Sequence, residues 1–295
     1  FIVHSKFKKP KLKRADRKTR TKFKIALIIE ERIKEMNTFI HPTAIIDPKA
    51  ELDKDVKIGP YCIIGPNTKI GKKTKIIALA TIEEWTEIGE ECTISQGVII
   101  GTSPQDTGFE KKKSFVKIGD RNLIREYTTI HRGSKEGSST RIGNDNFLMA
   151  YSHIAHNCLI EDGVVIANAG TLAGYVTVEK KVMIGGLSAV HQYVKIGAYS
   201  IIGGCSKIVK DIPPYTKADG HPARLWGLNS IGLKRANFSL ETTNLLKKAY
   251  KILFRSSLNT SQALRKIENE LETNPEIQHL CQFIQSSKRG ICKER

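Results

Sequence analysis

From Ile142 to Ile208 the chain reads IGNDNF LMAYSH IAHNCL IEDGVV IANAGT LAGYVT VEKKVM IGGLSA VHQYVK IGAYSI IGGCSK I, so that Ile, Leu or Val returns at every sixth position. The same step runs back to Ile40, and between Ile40 and Ile208 only Asp106, Lys112 and Glu136 break it. A period of six is neither the 3.6 of a helix nor the plain alternation of a strand. Four places after each aliphatic stands a second column of small or β-branched residues, among them Ala44, Val56, Cys62, Thr68, Cys92, Ser152, Cys158 and Val164. One large and one small inward residue per hexad describe a short strand and a tight corner. Glycine often follows the aliphatic, as at Gly59, Gly65, Gly71, Gly89, Gly119, Gly143 and Gly197, which suggests the corner lies there. A hexad cannot bury its apolar side alone, so the expected fold is mainly β, a parallel β-helix whose stacked coils share one core.

The repeats define the domains. Residues 1–38 form a basic extension, residues 39–213 the β-helix, and residues 214–295 a connector followed by a small C-terminal α-helical domain. Formal net charge is +18 and pI about 9.6. Much of the excess sits in the extension, and the body is too mildly basic to argue for nucleic acid. Met36 is the first Met, just before the repeats, and translation is expected to start there with the preceding stretch vestigial or disordered; a targeting or nucleic-acid arm is the other reading. The apolar run Ile25 to Ile29 is shorter than a signal-peptide core, and no stretch approaches a transmembrane span. Cys62, Cys92 and Cys158 fall on the inward small column, so they are expected to be reduced core fillers without disulfides.

Two polar interruptions, 102–115 and 132–140, cannot fill a coil interior and are expected to be external loops, where sites are built. Beyond Pro214 the residues to 237 are expected to form a connector. Ser239 is then a candidate N-cap, and apolar spacing around Leu246, Leu264 and Ile277 predicts three short helices, the last two separated by Asn274-Pro275. The tail beyond Ser287 is expected to be loose.

The hexads resemble those of the hexapeptide-repeat acyltransferases, and this resemblance implies a left-handed prism of three hexads per coil. Residues eighteen apart then stack, with about 4.8 Å between coils. Ile154 and Cys158 point inward, so His153 and His156 face outward or sit at a corner. His156, Gly174 and Gln192 form one column, with His191 beside Gln192. Such a column suits acyl transfer. A neutral imidazole can take a proton from an attacking hydroxyl, and a glycine lets a backbone N–H approach a thioester carbonyl.

The motifs IHRG (130–133), HIAHNC (153–158), TLAGYV (171–176), AVHQYV (189–194), GGCS (203–206) and GLKR (232–235) carry the resemblance further, to the UDP-N-acetylglucosamine O-acyltransferases. It implies a homotrimer of the bacterial cytoplasm with sites between subunits, using neither cofactor nor metal. The implied partners are a 3-hydroxyacyl-loaded acyl carrier protein and UDP-N-acetylglucosamine, and the implied reaction is the first step of lipid A synthesis. His156 matches the general base and Gly174 the oxyanion donor. Substrate-binding positions match His131, His153, His191 and Gln192, with Gln105 and Asp106 in the first loop, Asn229 and Arg235 on the nucleotide side, and Gly204 as the acyl-chain ruler. Asn157 stands where Asp is common, Gly108 where Lys is usual and Tyr175 where His is common, and Ile231 and Ala236 replace polar residues. Three other readings remain: a zinc hydratase with His131, His153 and His156 as ligands, a coenzyme A-dependent acetyltransferase, and a scaffold that only binds.

Overall fold

The computed structural model describes residues 38–294; the expectations for the basic extension lie outside the described residues. Short parallel strands run from Phe39–Ile40 to Lys207–Ile208, and every third strand joins the same sheet. The three sheets form the faces of a prism. Pairings such as Phe39↔Lys57, Ile45↔Ile63 and Glu51↔Lys69 set the coil at eighteen residues.

Two coils are longer. Ile100 pairs with Ile130, thirty residues on, and Ile130 pairs with Ile154, twenty-four on. The extra lengths are twelve and six, whole multiples of the hexad, so the aliphatic count stays in phase through both loops. That is why Asp106, Lys112 and Glu136 fall on the period without belonging to the core. From Ile58 onward the sixth positions that do belong are buried, as with Ile58, Ile94, Ile130, Ile154 and Ile166, while Ile40, Ile46 and Leu52 of the first coil are partly buried. Burying each such side chain contributes roughly 1.5–3 kcal/mol.

The corner is not where the glycines suggested. The left-handed residue is the third after each aliphatic, and it is seldom glycine: Asp55, Asn67, Leu79, Trp85, Asn157, Tyr175 and Tyr193 all have φ between 54° and 64°. Glycines that directly follow the aliphatic have ordinary φ and answer a different need. A Cβ on Gly65 would lie 2.9 Å from the Glu84 nitrogen, and one on Gly71 would lie 2.6 Å from the Gly89 oxygen. Close approach of the next coil requires them.

Along one edge the left-handed positions alternate in charge: Asp55, Lys73, Glu91, Arg121, Asp145, then Gly163 and Lys181. Lys73 meets Glu91 at 3.0 Å and Arg121 meets Asp145 at 2.7 Å. The Lys181 side chain lies across Gly163, and its charge helps hold the Asp145 carboxyl below the usual range after the larger effect of Arg121. Such exposed pairs stabilise little. A coil slipped along this edge would, however, set like charges together, so the ladder favours one register. Inside, Asn122 and Asn146 occupy the small column and link coils: Asn122 Oδ1 accepts from the Asn146 N–H at 2.9 Å and Asn146 Oδ1 from Val164 N–H at 2.7 Å. Cys62, Cys92 and Cys158 fill the same column as free thiols, and burial pushes Cys158 up to about 12.

The stretch after Pro214 corrects the connector expectation. Thr216–Gly220 and Ala223–Leu228 form an antiparallel hairpin that extends one prism face, and Ser230–Arg235 is a short helix. Ala218 and Leu225 are fully buried, which caps the open end of the core. Ser239 caps the helix Leu240–Phe254 by accepting from Thr242 N–H, and Asn274 with Pro275 starts the helix Pro275–Ser286. Between them runs Thr260–Glu270, and Leu246, Leu264, Ile267, Ile277 and Leu280 share a second core. The tail is not loose. Cys292 is 4% exposed, its N–H donates to the Asp211 carbonyl at 2.8 Å, and Arg255 pairs with Glu294. No helix among the described residues is long and apolar enough to cross a membrane.

Candidate active site

Both loops leave the prism from the edge that carries His156. The first follows strand Ile99–Thr102, the second follows Thr129–His131, and His156 comes just after the next strand of that face, His153–Ile154. Tyr175 N–H donates to the His156 carbonyl and Tyr193 N–H to the Gly174 carbonyl, so the column of His156, Gly174 and Gln192 forms as expected.

The His156 ring lies directly against Gly174. A Cβ there would stand 2.6 Å from Cε1 and 2.7 Å from Nε2 of the imidazole. Gly174 has no left-handed φ; it is glycine because the ring takes the Cβ position. Gly174 is buried, and among the described residues no backbone carbonyl accepts from its N–H. The N–H at this corner position lacks a carbonyl acceptor in the neighbouring coils as well, at His156 and Gln192, so the turn itself leaves it free to donate.

His131, His153 and His156 do gather, and His131 is the most enclosed of the three. It is 5% exposed beneath the loops, its Nδ1 has no partner, and its ring meets that of His153 edge-on at 4.8 Å. Burial, with the neighbouring His153 and His156, pushes its pKa down from the ordinary 6.5 to about 4. Burial also lowers that of His153, whose Nδ1 shares a 2.7 Å hydrogen bond with Thr129 Oγ1. The folded state thus favours neutral His131. This contributes stability that is present above about pH 6.5 and lost as pH falls toward about 4, because the unfolded chain takes the proton first. The urea midpoint should therefore drop between pH 7 and pH 5, and His131→Gln should flatten that slope. Identical slopes in the two proteins would refute the assignment.

Gln105 and Asp106 lie exposed in the first loop, where the Asp106 carboxylate accepts from Gly108 N–H at 2.9 Å in a tight turn. His191 and Gln192 are exposed one coil beyond Gly174. Gly204 stands at another edge, on the corner leading into strand Lys207–Ile208 of the His153 face; that strand is three coils from His153, roughly 14 Å along the axis. A Cβ on Gly204 would meet only the Gly186 backbone, the nearest atom at 3.3 Å. Asn229 belongs to the third edge. It caps the short helix through Gly232 N–H, and its Nδ2 donates to the Tyr199 carbonyl at 2.8 Å. Arg235 is exposed at that helix's end. One chain thus brings together the histidines and Gly174 and leaves Asn229 and Arg235 apart. Among the described residues, no three of His, Cys, Asp or Glu are placed to hold a metal.

Sequence reading missed Arg132 and Ser134. Arg132 is buried, 3.5 Å from Glu84, between the Trp85 and Phe109 rings at 5.2 and 6.0 Å, so it anchors the first loop. Ser134 reaches the residue beside His156: its N–H and Oγ lie 2.9 and 3.0 Å from Asn157 Oδ1. Nothing in a polar loop's composition signals such a return contact.

Residues 211–292 match the family described as UDP N-acetylglucosamine O-acyltransferase, domain 2, and residues 37–72 and 139–173 match the bacterial transferase hexapeptide repeats. The acyl-(acyl-carrier-protein):UDP-N-acetylglucosamine O-acyltransferase of Thermodesulfovibrio yellowstonii is 56% identical over 255 residues, 86% of this chain and 99% of that protein. The chain belongs to this acyltransferase family. A second such O-acyltransferase, from Gloeothece citriformis, is 49% identical over 85% of this chain and 91% of its own length. The crystal structure of the UDP-N-acetylglucosamine acyltransferase from Bacteroides fragilis matches with a TM-score of 0.85 at 41% identity, covering 86% of this chain and 100% of that one. As an acyltransferase of this family the chain is a left-handed parallel β-helix of hexapeptide repeats. The departures from the family pattern now have surroundings: Asn157 accepts from Ser134, the Tyr175 hydroxyl lies 3.0 Å from Ser134 Oγ, and Ile231 is 69% exposed on the short helix.

Proposed function

We propose that this enzyme transfers a 3-hydroxyacyl group from acyl carrier protein to the 3-hydroxyl of UDP-N-acetylglucosamine, the first step of lipid A synthesis. The observation that carries the reading is the contact of the His156 imidazole with Gly174, which sets a proton acceptor beside an unengaged backbone N–H. His156 Nε2 takes the proton as the sugar oxygen attacks the thioester carbonyl. The Gly174 N–H donates to the oxygen that becomes negative in the tetrahedral intermediate. Collapse breaks the carbon–sulfur bond, and the imidazolium returns its proton to the departing thiolate.

The acting unit in this reading is a homotrimer. His156, Gly204 and Asn229 stand on three different edges of one prism, so a cleft between copies can unite what one copy keeps apart. Gln105 and Asp106 hold the sugar, with His131, His153, His191 and Gln192 lining its path to Asn229 and Arg235. Gly204, three coils beyond His153 and bare of a side chain, leaves length for the acyl chain along that face. Names of the relatives support the donor and acceptor: the Thermodesulfovibrio yellowstonii protein is named for both acyl carrier protein and UDP-N-acetylglucosamine.

Incubation with UDP-N-acetylglucosamine and a set of 3-hydroxyacyl carrier proteins should yield a 3-O-acylated sugar nucleotide by mass, with activity in the trimer peak on sedimentation. Product from acetyl-coenzyme A alone would make this an acetyltransferase, and an active monomer would remove the shared site.

A further inference from the structure

The ring nitrogen that accepts the proton is decided by groups outside the histidine. His156 Nδ1 lies 3.0 Å from Asn157 Oδ1, and an amide could turn either its oxygen or its NH2 toward an imidazole. Here the choice follows from Ser134. Its backbone N–H can only donate, and it lies 2.9 Å from the same Asn157 atom, so that atom is the oxygen. An oxygen facing Nδ1 can only accept, so Nδ1 carries the proton and Nε2 keeps its lone pair. The Ser134 hydroxyl adds a second donor at 3.0 Å, and its own oxygen stands 3.0 Å from the Tyr175 hydroxyl. Tyr175 is held in turn by stacking on Tyr193 at 4.9 Å and by edge contact with the His156 ring at 5.2 Å. Asn157 itself is pinned, its N–H donating to Thr140 Oγ1 at 2.8 Å at the left-handed corner.

We propose that Ser134, supported by the Tyr175 hydroxyl, is the positioning residue of this site: it orients the Asn157 amide, and the amide holds the His156 imidazole as its Nδ1–H tautomer. The assignment rests on the reading of His156 as the base. A relay of neutral groups thereby does the orienting for which a carboxylate would need no help, since a carboxylate presents acceptor oxygens on both sides. The relay also ties the second loop to the reacting histidine, because Ser134 lies in that loop.

The test follows from this difference between amide and carboxylate. In the full chain, Ser134→Ala removes one of the two donors that orient the amide, and it is expected to lower kcat roughly 10-fold with KM for both substrates unchanged. In an Asn157→Asp background the same change should cost less than about 2-fold, because no orientation remains to be selected. Equal losses in the two backgrounds, or no loss in the first, would overturn the proposal. Nitrogen-15 NMR of histidine-labelled protein, with His156→Gln to assign the signal, reads the tautomer without turnover. A proton on Nδ1 in the wild type, with a mixture after Ser134→Ala, is the expected result, and a proton on Nε2 in the wild type would sink the idea. Should the expected tautomer be found in a protein that does not transfer acyl groups, the relay stands and the proposed function falls.

Discussion

Replacing His156 with alanine is expected to lower kcat by about 10²–10⁴-fold while leaving the fold intact. The ring lies outside the aliphatic core, where Ile154 and Cys158 fill the interior on either side of it, so removing it opens no cavity there. Its removal deletes the group that takes the hydroxyl proton. KM for the sugar nucleotide should change far less than kcat, because the lost interaction belongs mainly to the transition state. Circular dichroism and thermal midpoint should match the wild type. Near-normal turnover by a folded His156→Ala protein would mean that some other group is the base, and the mechanism proposed above would fail with it.

Gly174→Ala should be almost as damaging, for a steric reason. The added methyl would sit 2.6 Å from the imidazole Cε1 and 2.7 Å from Nε2, so the ring must move by something near 1 Å, and displacement on that scale costs on the order of 10²-fold. Backbone strain is not involved, since Gly174 lacks the left-handed φ that would penalise alanine. The N–H is retained as well. A large fall in kcat with little change in thermal midpoint would therefore report misplacement of His156 rather than loss of the oxyanion donor. Turnover within about 3-fold of the wild type would show that the position of the ring against Gly174 is not needed for the reaction.

Much of the prism was legible in the residues because its interior repeats. An aliphatic at every sixth place and a small residue four places later are direct consequences of stacking identical coils, and stacking also places His156, Gly174 and Gln192 in one column. The corner was read from the wrong residue for a physical reason. Glycine signals either a left-handed φ or a close approach, and here Gly65 and Gly71 serve the second while Asn157, Tyr175 and Leu79 adopt the first. The tail was read as loose because a single buried cysteine among basic residues carries no periodic signal, although Cys292 packs beneath the hairpin.

By itself, then, the sequence determined the period, the coil, the identity of the inward residues and the family motifs, since each depends only on which residue follows which at a short, fixed spacing. Tertiary structure alone decided the burial of His131, the anchoring of the first loop by Arg132 and the hold of Ser134 on Asn157. These contacts join residues twenty or more positions apart through loops that leave the repeat and fold back on it. No periodicity governs where such a loop returns; the path of its own backbone and the partners it finds on the prism do.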